Sequence, residues 1–243
     1  MTPLFNVLLY ARTTAHSDTA LMWVALIVLS ILSLAISKSV ERKFKKYSKI
    51  PTVGHLTGRE VAERMLSAHD IHNVQVRIVN GTLTDHYNPT DRTLNLSPDV
   101  YNGTSVAAAA VAAHECGHAV QHAVGYAPLR LRSALVPAVS FASKYVSWVL
   151  LAGLLFVKAF PSLLLIGIIL FAATTLFSLV TLPVEINASA RALQWLERSE
   201  ITTPSTHPYA ASALRSAAYT YLIAALTSLA TLLYYVMIYL DRR

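Results

Sequence analysis

The sequence predicts a mainly α-helical integral membrane protein, with about four transmembrane helices and a small α+β portion between the first and second. Two observations carry this. Apolar residues make up 54% of the 243 positions and charged residues 14%, and the mean hydropathy of +0.47 lies far above that of an average soluble domain. The apolar residues also collect in long uncharged runs, which leaves only residues 51–133 polar enough to form a globular part. The net charge of +7 sits in Lys and Arg bunched beside those runs, with no interleaved aromatic platform. It therefore reads as a topology signal and excludes a nucleic-acid partner. The single cysteine, Cys116, can form no intramolecular disulfide.

Residues 1–18 are short and mixed and form an N-terminal extracytoplasmic segment in this reading. Residues 19–37 form the first transmembrane helix, because Thr19 to Ser37 is uncharged and long enough to cross a hydrocarbon core of about 30 Å. Lys38 ends the run, and Arg42, Lys43, Lys45, Lys46 and Lys49 follow against the single acid Glu41. Such a flank stays in the cytoplasm. Positive charge after the apolar run, rather than before it, favours a retained anchor over a cleaved signal peptide.

Residues 38–133 form the cytoplasmic portion. Thr57 and Glu60 match a capping box, so a helix runs from there to about Ala68. Val74, Val76 and Ile78 alternate with polar residues, as do Arg92 to Leu96, and turn residues Asn80-Gly81 and Asn88-Pro89 separate the two stretches; two short strands are expected. From Ser105 an alanine-rich helix extends to about Val124, stopped by Gly125 and Pro128. Residues 134–183 form a transmembrane hairpin (helices 2 and 3) broken at Lys158-Ala159-Phe160-Pro161. Residues 184–215 carry a new cytoplasmic helix after Pro183, and residues 216–243 form transmembrane helix 4 and the C-terminus, with tyrosines near both ends as in membrane-interface belts. Arg130, Arg132, Arg191, Arg198 and Arg215 then share the side of the basic flank, while Asp241-Arg242-Arg243 falls on the other, a mild contradiction of the charge rule.

The alanine-rich helix carries His114-Glu115-Cys116-Gly117-His118, an H-E-x-x-H motif. Its two imidazoles project from one face about 6 Å apart along the axis and can share one tetrahedral zinc. Glu115 is rotated about 100° from His114, beside the metal without ligating it, where it can take a proton from a zinc-activated water and pass it to a leaving amine. Two histidines and a glutamate on an otherwise apolar helix are costly unless they have a task. His122 continues the row but lies about 12 Å along the axis from His114, too far for the same ion. Glu185 supplies the third ligand in this reading. It follows the hairpin directly and shares a stripe with Ala188, Ser189 and Ala192, whose small side chains permit close helix approach; Ser189 can orient a ligand by hydrogen bonding. An acid at a helix N-terminus also interacts with the helix dipole, the alternative for Glu185. Cys116, two positions past His114, points away from the metal face and is a small buried residue.

The strings VAAHECGHAVQHAVGYAPLRLRSALVP, TDHYNPTDRTLNLS and LPVEINASARAL resemble the YugP-type family of membrane-bound neutral zinc metallopeptidases, over about residues 40–235. More distantly the layout is similar to HtpX-type membrane proteases and prenyl-protein endopeptidases, whose E-x-x-A-D motif completes the zinc site. Glu185 and Ala188 match that motif, and Ser189 stands where it has aspartate. The resemblance implies a zincin-like catalytic portion, and a substrate-binding edge strand ahead of the motif helix, here Arg92 to Leu96. His86, Tyr87 and Arg191 are candidate helpers at the carbonyl oxygen.

The expectation is a multi-pass protein of the cell membrane and a zinc-dependent endopeptidase. Zn2+ would be held by His114, His118 and Glu185, Glu115 would be the general base, and the active site would lie near the cytoplasmic membrane surface. Its partners would be a polypeptide substrate, membrane-associated or misfolded, and the lipid bilayer. The competing class is a membrane scaffold or chaperone-like protein with a structural zinc site, which would close the metal with four protein ligands. A metal transporter would hold its ligands at the midplane of the spans.

Overall fold

The computed structural model describes the backbone of residues 3–241 and side chains from residue 20 to residue 241, so Met1-Thr2 and the terminal Arg242-Arg243 fall outside the described residues. The elements are α1 (Pro3–Tyr47), α2 (Gly58–Ala68), β1 (Gln75–Ile78), β2 (His86–Asn88), β3 (Thr93–Leu96), α3 (Pro98–Tyr101), α4 (Val106–Ala123), α5 (Ala127–Leu155), α6 (Pro161–Arg198) and α7 (His207–Asp241). The chain is mainly helical, and α1, α5, α6 and α7 are each long and apolar enough to cross a membrane. It divides into two compact units, one of residues 1–34, 134–179 and 222–243, the other of Ala35–Ser133 and Val180–Tyr221.

The first unit is built from the apolar runs. Val146 and Leu150 of α5 pack with Leu164 and Ile168 of α6, and Leu232, Tyr235 and Val236 of α7 complete the cluster. Gly153 permits the tight turn-back of α5 on α6: a methyl group there would sit 2.6 Å from the Leu164 Cα. The outward faces stay apolar, with Leu21, Val24, Ile27 and Ile31 more than half exposed and Trp148 at 73%. Water does not tolerate a surface of that kind, and a lipid bilayer does.

The second unit is a small globular body around α4. Thr57 accepts a hydrogen bond from the Glu60 N–H while the Glu60 carboxylate accepts from the Thr57 N–H, so the capping box opens α2 as the spacing predicts. Ser105 caps α4 by accepting from the Ala108 N–H at 3.2 Å, and Gly125, at φ 64°, ends it in a conformation that favours glycine. The alanine face of α4 is fully buried against Val61 and Met65 of α2, Leu94 and Leu96 of β3, Val100 of α3, and Ala192 and Leu196 of α6.

Several expectations are corrected. The sheet has three strands, ordered β1-β3-β2. β3 pairs parallel with β1 (Gln75 opposite Thr93) and antiparallel with β2 (His86 opposite Asn95), so the stretch assigned as a substrate-binding edge is the central, fully buried strand. Arg92 lies outside it, at φ 52°. β2 is three residues long and carries no alternation of its own; pairing with β3 creates it. No new helix begins after Pro183, because α6 runs unbroken from Pro161 to Arg198. The proline forfeits one backbone bond, a loss long packed helices absorb. Pro128 opens α5 rather than only closing α4, since proline suits a first helical turn, and α7 starts at His207, ahead of the apolar run.

Candidate metal centre

α4 carries His114 and His118 on one face because four residues make slightly more than one turn, and α6 brings Glu185 against them. The Glu185 Oε2 lies 3.2 Å from His114 Nε2 and 3.5 Å from His118 Nε2. The imidazole planes are nearly perpendicular, at 83°. One donor atom from each residue falls within 4.8 Å of the others, a group that can hold a metal ion.

Close helix approach makes this possible. At Gly117 the backbones of α4 and α6 nearly touch, so that a methyl group would sit 2.6 Å from the Ala188 carbonyl oxygen. The stripe of small residues on α6 supplies the other side of the contact: Ala188 and Ala192 are fully buried, and Ser189 reaches the His114 Nδ1 at 3.1 Å.

The far side of each imidazole is held. His118 Nδ1 lies 3.0 Å from Gln121 Oε1. An amide oxygen only accepts, so Nδ1 carries the proton and donates, which leaves Nε2 toward Glu185. The fully buried Gln121 donates in turn to the Val184 carbonyl at 2.8 Å and to Asn187 Oδ1 at 3.0 Å. Asn187 also accepts from Arg191 Nε at 2.8 Å. This network ties the last turns of α4 to α6.

Glu115 is buried, and its Oε2 accepts the Tyr87 backbone N–H at 3.0 Å, which joins it to β2. It lines a cavity of about 150 Å³ together with His118, Glu185, Asp85, Arg132 and Tyr221. Burial works against a charged His118, but Glu185, the charge of Glu115 and Gln121 outweigh it, so its pKa lies above the usual histidine value. Burial pushes the Asp85 carboxyl up, with Glu115 adding to the rise and hydrogen bonds from Ser97 opposing it. The Cys116 thiol is raised well above its ordinary value by burial, which matches the inert role expected of it. His122 stands apart, its Nδ1 2.8 Å from the Tyr87 hydroxyl.

The donor set fits a zinc ion. Two imidazole nitrogens and one carboxylate, each imidazole oriented from behind, are a three-ligand set of the kind that keeps a position for water or substrate. Among the described residues the group has three members. Sequence reasoning missed Gln121, Asn187, Arg132 and Tyr221. Gln121 had a signal, since it lies three residues past His118 and so on the same helix face. Arg132 and Tyr221 read as a topology charge and an interface tyrosine, and only folding brings them to Glu115.

Residues 22–240 match the protein family described as "Putative neutral zinc metallopeptidase". The chain is 43% identical over 221 residues to "Putative membrane protease YugP" of Bacillus subtilis, covering 89% of this chain and 97% of that protein. No solved structure matches the chain.

Proposed function

Because this chain belongs to the neutral zinc metallopeptidase family, we propose that it is a membrane-embedded, zinc-dependent endopeptidase with His114, His118 and Glu185 as metal ligands and Glu115 as general base. The observation that carries the reading is the convergence of those three donors beside a buried glutamate that opens into the same cavity. Zinc bound there supplies Lewis acidity, polarising a peptide carbonyl and making a water easier to deprotonate.

The protein's own groups do the rest. Glu115 takes the proton of the attacking water as the water oxygen adds to the carbonyl carbon and the carbonyl electron pair moves onto oxygen. When the C–N bond breaks, Glu115 returns the proton to the departing amine. The Tyr87 N–H holds the Glu115 carboxylate in position for both transfers. Ser189 and Gln121 keep the imidazoles facing Glu185.

Substrates are membrane-associated or misfolded polypeptides, and the site works on the cytoplasmic side. Glu185 follows the apolar run by three residues, and the flank Lys38 to Lys49 belongs to the cytoplasm by the positive-inside rule. A scaffold with a structural metal would require a fourth protein ligand, which the described residues do not supply.

The test is zinc stoichiometry and hydrolysis of an unfolded protein substrate by purified wild type, Glu115→Gln and Glu185→Ala. Glu115→Gln retains zinc and loses turnover, while Glu185→Ala loses zinc. A Glu115→Gln protein that cleaves as fast as wild type would end the reading.

A further inference from the structure

Attack on a peptide carbonyl places negative charge on its oxygen; zinc held by the triad would carry part of it, and the acidic lining around Glu115 works against the rest. Three carboxylates, Asp85, Glu115 and Glu185, line the same space of about 150 Å³. An anion among them needs a cation or donors aimed at it. The candidates from β2 are already committed. His86 Nδ1 lies 2.8 Å from the Thr84 carbonyl, so it carries the proton and donates there, while Nε2 accepts from Asn95 Nδ2 at 3.3 Å. Tyr87 pairs its hydroxyl with His122 and gives its N–H to Glu115. Arg191 is engaged with Asn187 and does not line the cavity.

Two lining groups have the needed chemistry. Arg132 of α5 carries a permanent positive charge and no acceptor. Tyr221 of α7 donates its hydroxyl to the Glu185 carboxylate, with Glu115 and Arg132 nearby, and remains 37% exposed; a carboxylate engaged by a metal would accept less strongly, leaving that hydroxyl to turn to a substrate oxygen. Both belong to the compact unit that contains the metal centre.

We propose that Arg132 and Tyr221 are catalytic residues that receive the negative charge developing on the oxygen of the scissile carbonyl. Tyr221 turns its hydroxyl from Glu185 to donate a hydrogen bond to that oxygen, and Arg132 supplies a positive field that adds to the metal's. The proposal rests on the peptidase reading above and deepens it, adding the electrophilic side of the site to the basic side that Glu115 provides.

The experiment uses the full-length, zinc-loaded protein in detergent and measures three things for wild type, Tyr221→Phe, Arg132→Gln and Arg132→Lys. These are zinc stoichiometry, kcat, and affinity for a peptide phosphonamidate, whose tetrahedral anion mimics the charged oxygen, against the parent peptide. Tyr221→Phe and Arg132→Gln keep zinc, bind the parent peptide within about twofold of wild type, and lose on the order of 10²-fold in kcat and in phosphonamidate affinity. Arg132→Lys retains part of both because the charge remains. Tyr221→Phe removes one oxygen atom and carries the test alone if Arg132→Gln fails to fold. Undiminished phosphonamidate affinity in Tyr221→Phe overturns the proposal. So does its loss of zinc, which would make Tyr221 a support for Glu185 instead. Wild type that binds zinc yet cleaves no peptide sinks the peptidase reading separately, since phosphonamidate discrimination is read without turnover.

Discussion

Replacing Gly117 with alanine tests how the metal centre is assembled. In an exposed helix this change stabilises by roughly 1 kcal/mol, because alanine is the better helix former. Here the new methyl group would lie 2.6 Å from the Ala188 carbonyl oxygen and 3.1 Å from the Ala188 C and Cα. Ordinary contact begins near 3.4 Å, so the shortest of these is about 0.8 Å too close. All three atoms are backbone, so no rotamer change relieves them and α4 and α6 must separate. Overpacking of this kind costs about 1–3 kcal/mol, which offsets the propensity gain and leaves the protein unchanged to slightly destabilised. The metal site suffers more. Glu185 lies three residues before Ala188 on the same helix face, and metal–ligand distances tolerate only about 0.2 Å. We expect zinc affinity to fall by about 10–100-fold, read by competition with a chromophoric chelator, with a small change in thermal unfolding. Adding Ala188→Gly should not restore binding, because the obstructing atoms remain. Wild-type zinc affinity in Gly117→Ala would refute the account of how the two helices meet.

Other perturbations test the supports of the site. Gln121→Leu leaves the His118 Nδ1–H and Asn187 without their shared partner in a buried setting. A loss of about 1–3 kcal/mol in chemical denaturation and about 10–100-fold in zinc affinity is expected, and an unperturbed zinc affinity would dismiss the orienting role. For Asp85 the prediction concerns pH. Its folded pKa is raised above 3.8 by burial, so its contribution to stability is fully present below that value and is lost as pH rises through the folded pKa. Asp85→Asn, which cannot ionise, should flatten this part of the stability profile and remain at least as stable as wild type near neutral pH. A denaturation midpoint that falls in Asp85→Asn at pH 7 while holding at pH 4 would reverse the sign and reject the burial argument.

Much of this protein is local, and the local part was legible in the amino-acid chain. Uncharged runs identify the apolar stretches of α1, α6 and α7 because each is a contiguous property of composition, and α5 shows as an apolar stretch interrupted by Lys144. The capping box at Thr57 and Glu60 and the 3.6-residue period that sets His114 and His118 on one face are likewise local. Even the pairing of Glu185 with the motif, across 71 positions, was inferable from its place directly after the hairpin together with the small residues on its stripe. Tertiary structure decided what depends on neighbours distant in sequence. β2 exists only because β3 pairs with it, which turned the expected edge strand into the centre of the sheet. α6 continues through Pro183 because packing on both sides outweighs one lost backbone bond. Gly117 is constrained by the backbone of another helix, and Arg132 and Tyr221 enter the cavity from helices whose own patterns suggest only a membrane boundary. Periodicity reports which face of an element is buried; which distant side chains meet there is set by the packing of the whole unit.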